Sequence, residues 1–192
     1  MHTKALQHLV HSTPPRCLRR LRAKRVPVPA KWGNGVAMRW DVAAAWRLAC
    51  RCGSGEGALL GHPLAALSPE AAGDHSFVSP FAFRCARCGK TTKILDTDVD
   101  GTGAELAKLD GDDIGCAAYR GAGRKRPFPC PKCGTPRGET VVALFFTKDY
   151  MDDLEDDGIA FAFENLFSGV RIYYRCSGCG KRTMVTDIDT KY

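Results

Sequence analysis

What this 192-residue sequence lacks narrows its chemistry before any motif is considered. No apolar run approaches the roughly 20 residues that a membrane-spanning helix requires; the longest, "VVALFF", covers only residues 141–146. There is no Gly-x-Ser-x-Gly, no glycine-rich phosphate loop and no His-Glu-x-x-His, and of five histidines only His62 and His75 lie beyond residue 37. The residues that familiar hydrolytic and nucleotide-dependent mechanisms need are therefore missing, and the expectation is a protein that is not an enzyme. Residues 1–25 lack the apolar core and small-residue cleavage site of a secretory signal. The ten cysteines are thus expected in a reducing, cytoplasmic setting, where close pairs hold metal or carry out thiol chemistry more often than they form disulfides. Helical signal is scarce as well, confined to "DVAAAWRLA" (41–49) and "TGAELAKL" (102–109).

Acid is absent from one segment in particular. Of the 28 Lys and Arg and 21 Asp and Glu, residues 1–37 hold eight bases and no acid, so the remaining chain carries 20 bases against 21 acids. The net charge of +7 resides in this segment. With prolines and no apolar periodicity it reads as a disordered basic arm, whose removal is expected to leave metal content and stability unchanged. Two other readings stand beside that one: a translation start at Met38, where "MRWDVAAAWRLACRCG" changes the composition abruptly, and an Arg-rich, acid-free transit peptide.

What is present is a repeated grammar. "FRCARCGKTTKILDTDVD" (83–100) returns as "YRCSGCGKRTMVTDIDTK" (174–191) with eight identities over eighteen positions, among them Arg84/Arg175, Lys90/Lys181, Thr92/Thr183, Asp96/Asp187 and Asp98/Asp189. Background residue usage would give about one. Each copy is preceded by another cysteine pair, Cys50 and Cys52 or Cys130 and Cys133. The organisation expected is an arm over 1–37, a first module over 38–112, a linker rich in glycine and charge over 113–127, and a second module over 128–192. Around each later pair the residues predict strand, tight turn, strand: "FAFRC" enters and "KTTKILDTD" leaves. "ETVVALFFT" and "VRIYYRC" read as further strands.

Two Cys-x-x-Cys turns brought together supply four thiolates at tetrahedral spacing, and a glycine after the second cysteine lets the backbone fold back toward the sulfurs. The pattern resembles the zinc knuckle and, in facing pairs, the zinc ribbon; this chain is similar to two ribbons in tandem. The resemblance implies a small, metal-stabilised, mainly β fold made of two zinc-ribbon-like modules from an internal duplication, with two Zn ions held by Cys50, Cys52, Cys85 and Cys88 and by Cys130, Cys133, Cys176 and Cys179. Cys-Pro-Lys-Cys-Gly also resembles the iron turn of rubredoxins, which keeps iron as an alternative. Cys50-Arg51-Cys52 has one intervening residue, and this shorter turn predicts weaker binding at the first site. The separations Cys52 to Cys85 and Cys133 to Cys176 exceed the usual spacing of about 15 to 20 residues and imply an insertion in each module. Four thiolates leave no coordination position for water or substrate, so the metal is expected to be structural.

The remaining features have plainer readings. Cys17 and Cys116 lack partners and read as buried thiols, and with four cysteines per site His62 and His75 are not needed as ligands. "DTDVDG" (96–101) begins like a calcium loop but has Ala107 where the bidentate glutamate belongs, so an alternating exposed strand face is expected. "DYMDDLEDDG" (149–158) places six acids in nine residues and reads as a solvated loop, although acidic hairpins on ribbons resemble those of transcript-cleavage factors. The function expected is a binding module for nucleic acid or a nucleic-acid machine, through Arg19, Arg20, Arg22, Lys24 and Arg25 of the arm and Arg124, Lys125 and Arg126 of the linker. A protein-interaction or structural zinc module, and a rubredoxin-like iron or dithiol redox protein, are the alternatives.

Overall fold

The computed structural model describes residues 14–29, 42–105, 120–146 and 165–189. These form a mainly β architecture of nine strands in one sheet: β1 (Arg22–Val26), β2 (Val42–Ala49), β3 (Glu56–Pro63), β4 (Phe77–Cys85), β5 (Thr91–Leu95), β6 (Arg126–Pro127), β7 (Gly138–Phe146), β8 (Gly169–Cys176) and β9 (Arg182–Asp189). Every pairing between named strands is antiparallel.

The two central strands are β3 and β7, and each is flanked in the same way. β2 and β3 run one after the other along a single edge of β7: residues Val42 to Arg47 pair with Phe146 to Val141, and Glu56 and Gly57 pair with Glu139 and Gly138. The turn carrying Cys50 and Cys52 is an excursion between them. On the facing side, β7 and β6 follow the edge of β3, with Pro127 and Arg126 paired to Leu60 and Gly61, and the turn carrying Cys130 and Cys133 is the excursion. Hairpins β3–β4 and β7–β8 then lead through the later cysteine turns to the outer strands β5 and β9. The long Cys52–Cys85 and Cys133–Cys176 separations are occupied largely by these hairpins.

Where β3 meets β7, Gly57 sits opposite Gly138. A methyl group added at Gly57 would overlap the Phe83 ring and the Arg84 carbonyl, and one at Gly138 would overlap the Tyr174 ring and the Arg175 carbonyl. Each glycine thus lets an aromatic ring from the adjoining strand lie flat across the junction, burying apolar area that a Cβ would displace. Phe83 and Tyr174 are both fully buried.

One large core runs through both halves of the chain. Trp46 and Leu48 of β2, Leu59 of β3, Phe81 and Phe83 of β4, Val142 and Leu144 of β7, Ile172 and Tyr174 of β8 and Val185 of β9 belong to the same buried cluster. Phe128 connects them with edge-on contacts to Phe77 at 5.2 Å and to Tyr174 at 5.3 Å. A smaller cluster of Ala45, Val141, Ala143, Phe145 and Tyr173 lies on the opposite face, against Val26 and Val28.

Three expectations differ from this structure. "DVAAAWRLA" is not helical but supplies β2, because Ala44, Trp46 and Leu48 face one cluster and Ala45 the other; pairing on both edges outweighs the helix preference of alanine. Residues Arg16 to Val26, assigned to a disordered arm, form a 3-10 turn and the edge strand β1, which pairs with β2 from Arg22↔Ala49 to Val26↔Ala45. Leu18 and Leu21 enter the main core. Asp96 to Asp100 form a turn after β5 rather than a strand face, with Asp100 Oδ2 accepting from the Asp96 amide at 2.9 Å. Lys93 and Arg120 neutralise this turn, Arg120 lying 3.2 Å from Asp96 and 2.6 Å from Asp98. Asp187, at the matching sequence position, lies in β9 and pairs with Arg171 at 2.9 Å. Residues 102–105 form one helical turn. The remainder of that predicted helix, Cys116, the acidic stretch 149–158 and the start of the linker lie outside the described residues.

Two substitutions test this packing. Leu18→Ala should cost about 2–5 kcal/mol and lower the melting temperature of the metal-loaded protein, whereas a disordered arm would leave it unchanged. Gly138→Ala should cost about 1–3 kcal/mol through overpacking against Tyr174, read by chemical denaturation.

Candidate metal centres

Each centre is assembled from two turns that leave the ends of paired strands. The first joins Cys50 and Cys52, between β2 and β3, to Cys85, the last residue of β4, and Cys88 in the turn to β5; the second joins Cys130 and Cys133, ahead of β7, to Cys176, the last residue of β8, and Cys179 in the turn to β9. Within each set the four sulfurs lie within 4.8 Å of one another. Sγ separations are 3.6 Å for Cys50–Cys88 and 3.5 Å for Cys52–Cys85, against 3.6 Å for Cys130–Cys179 and 3.5 Å for Cys133–Cys176. A tetrahedral zinc with Zn–S bonds of about 2.3 Å sets its sulfurs about 3.8 Å apart, whereas a disulfide needs about 2.05 Å. Four sulfurs at this spacing fit a tetrahedral thiophilic metal, and these residues could each hold one. Neither His62, which is buried, nor His75, which is exposed, belongs to either set.

Backbone hydrogen bonds explain why the turns hold their shape. In the three Cys-x-x-Cys turns the amide of the following glycine donates to the carbonyl of the first cysteine, at 3.1 Å for Gly89, 2.8 Å for Gly134 and 3.0 Å for Gly180. The first cysteine's amide then donates to a carbonyl five residues on, at Lys90, Thr135 or Lys181. Cys50-Arg51-Cys52 closes with the same two bonds one residue earlier, Gly53 N to Cys50 O at 2.9 Å and Cys50 N to Ser54 O at 2.8 Å. The shorter turn therefore brings its sulfurs as close as the full ones. All four following glycines have positive φ, +94°, +70°, +73° and +69° in chain order, which a side chain at those positions would strain.

Burial is graded across each centre. Cys50, Cys85, Cys130 and Cys176 are buried in the main core, while Cys52, Cys88 and Cys133 are exposed and Cys179 is half-buried. Local donors favour the thiolate at selected positions: burial opposes ionisation of Cys85, but the amides of Cys88 and Arg87 prevail and lower its pKa to about 6. The Thr135 hydroxyl, 3.4 Å from Cys133 Sγ, and the Thr135 amide bring Cys133 to about 6. In the first centre the corresponding hydroxyl, Ser54, turns instead to its own strand, accepting from the Glu56 amide at 3.3 Å. Arg51, Arg87, Lys90, Lys132 and Lys181 lie in or beside the turns, cations that offset the net negative charge of a four-thiolate site. Cys17 takes no part, and burial, followed by the nearby Asp100, pushes its thiol well up.

The basic residues expected to contact nucleic acid do not form one patch. Arg22 and Lys24 are exposed on β1, and Arg19 and Arg20 precede it, exposed. Arg25 is half-buried, with its guanidinium 5.0 Å from the centre of the Trp46 ring. Arg20 shares a shallow recess with Arg51 and Lys90. Arg124, Lys125 and Arg126 line a separate cleft together with Arg84 and His62, two residues that the sequence reading did not assign to a nucleic-acid surface. Among the described residues, no helix is long and apolar enough to cross a membrane.

Compared with protein-family models, with curated proteins and with solved structures, the chain gives no match.

Replacing Cys176 with Ser should remove one metal equivalent, and because Cys176 lies in the shared core it should lower a single thermal transition of the whole protein. Cys85→Ser should behave alike. Structural zinc contributes on the order of 10 kcal/mol to small domains, so a chelator should unfold both variants more readily than the parent. Two separate transitions in calorimetry would show that the modules have independent cores.

Proposed function

We propose that the chain is a non-enzymatic zinc-binding protein with two structural four-cysteine sites, built as two zinc-ribbon-like modules from an internal duplication and serving as a binding module for nucleic acid or a nucleic-acid machine. The observation that carries the structural role is the completeness of each sulfur set: four cysteines converge at each centre, so a tetrahedral metal there has no vacant position for water or substrate. Duplication is supported by the matched order of strands and cysteine turns and by the facing pair Gly57 and Gly138. The binding role is supported by cations that have no acidic partner among the described residues, on separate surfaces: Arg22 and Lys24 on the sheet edge, and Arg124 just before β6 with Arg126 at its start.

Four cysteines also satisfy iron, so metal identity is the first test. Elemental analysis of purified protein should give about two zinc per chain and a colourless sample; a red sample bleached by reductant would replace this reading with a rubredoxin-like one. A labelled single-stranded oligonucleotide should then bind with an affinity that falls steeply as salt rises, because each phosphate contact releases counterions. Absence of any such binding would leave the protein-interaction reading in its place.

A further inference from the structure

A cleft of about 770 Å³ opens on the outer face of the β3–β4 hairpin, within the size range of ligand sites. Its floor includes Leu60, which forms a small apolar cluster with Ala58 and Ala82. Arg84 stands at one side and the run Arg124, Lys125 and Arg126 at the other, held there by the pairing of Arg126 with Gly61 and of Pro127 with Leu60. Among the described residues, no carboxylate lines the cleft. None of these four cations has an ion-pair partner among the described residues, unlike Arg120, Arg137, Arg171 and Arg175, each of which faces an acid. Cations gathered without counter-charge repel one another, an arrangement that costs stability unless an anion relieves it.

His62 also lines the cleft. Its residue is only 5% exposed, and its Nε2 has no hydrogen-bond partner. A buried ring nitrogen left unpaired destabilises the fold, and no hydrogen-bond partner for it lies among the described residues.

We infer that this cleft seats the sugar–phosphate backbone of a single-stranded nucleic acid, with Arg84, Arg124, Lys125 and Arg126 taking successive phosphates and His62 pairing with a phosphate or sugar oxygen. The inference rests on the nucleic-acid reading above and assigns its surface. Cations spread along two walls suit a chain of phosphates better than one, which would call for donors converging on a point. The apolar floor offers no hydrogen-bonding side chain to read a base edge, so binding is tolerant of sequence. With no carboxylate among the described lining residues, a bound cation is disfavoured.

The test uses the full-length, metal-loaded protein and a fluorescent oligothymidylate, with anisotropy read across a salt series. For single strands each phosphate contact contributes about 0.7 to the slope of log affinity against log salt. Arg84→Ala and Arg126→Ala should each lower that slope by about 0.7 and the affinity about five-fold at 0.1 M salt, and the double variant should lose both increments. Arg47→Ala, an exposed cation on β2 outside the cleft, should bind like the parent. His62→Leu should weaken binding while leaving the melting temperature equal or higher, a combination that a purely structural histidine would not give. If the parent binds but the cleft variants keep its slope and affinity, the cleft is not the surface and only this inference fails. If the parent binds no oligonucleotide, the nucleic-acid reading fails with it. Equal affinity for thymidine monophosphate would reduce the cleft to a single-anion site, and equal displacement of the probe by polyglutamate would assign it to an acidic protein partner; either result overturns the inference.

Discussion

The junction of β3 and β7 is the constraint on which the remaining geometry depends. Only two residue pairs join these strands, Glu56↔Glu139 and Gly57↔Gly138, yet every other strand is placed by reference to one of them. Two glutamates directly opposite on an antiparallel pair repel, and here the repulsion is offset by Arg137, 3.6 Å from Glu56, and Arg175, 2.9 Å from Glu139. The paired glycines bring Phe83 and Tyr174 across the same point from the two hairpins. Apolar burial and ion pairing therefore coincide where ladder hydrogen bonding is sparse. A larger residue at either glycine would separate the strands and, with them, the turns that begin a few residues away at Cys52 and Cys133.

Those turns close what the junction opens. Along the edge of β7 pairing stops at Arg47 and resumes at Glu56; along the edge of β3 it stops at Pro127 and resumes at Gly138. An excursion of this kind interrupts a strand and would ordinarily weaken it, since the residues outside the ladder gain no cross-strand bonds. Here each excursion carries two cysteines that meet two more from the end of the neighbouring hairpin. Metal binding at each set would replace lost ladder bonds with sulfur ligation. Because the inner cysteine of every pair is buried among the aromatic rings of the common core, the metal and the core would stabilise the same contacts.

Cysteine spacing made the two four-cysteine groups legible in the sequence, and the segments "FAFRC" and "VRIYYRC" made parts of β4 and β8 legible too. Three features were not. Alanine-rich β2 carries a helix-like composition, and only the clusters on both its faces decide for a strand. Leu18 and Leu21 are too few to give a period, so a segment dominated by arginine concealed an edge strand whose apolar side chains reach the core. The Asp96–Asp100 turn corresponds in sequence to part of β9, where Asp187 pairs with Arg171, whereas around the turn the ion pairs come from Lys93 and Arg120. In each case contacts distant in sequence outweighed local preference.

Charge distribution follows the same logic. Residues 38–192 hold 20 bases and 21 acids, a balance that by itself predicts no anionic partner. The folded chain changes this by choosing which charges meet. Asp96, Asp98, Glu56, Glu139 and Asp187 are each engaged by a base, and the field they would project is largely cancelled at short range. Arg84, Arg124, Lys125 and Arg126 have no such partners among the described residues and share one concave surface, where walls of low dielectric strengthen rather than screen their combined potential. A near-neutral body thus acquires a strongly basic cleft through pairing elsewhere, and the ladder between β3 and β6 fixes that cleft's two walls in register.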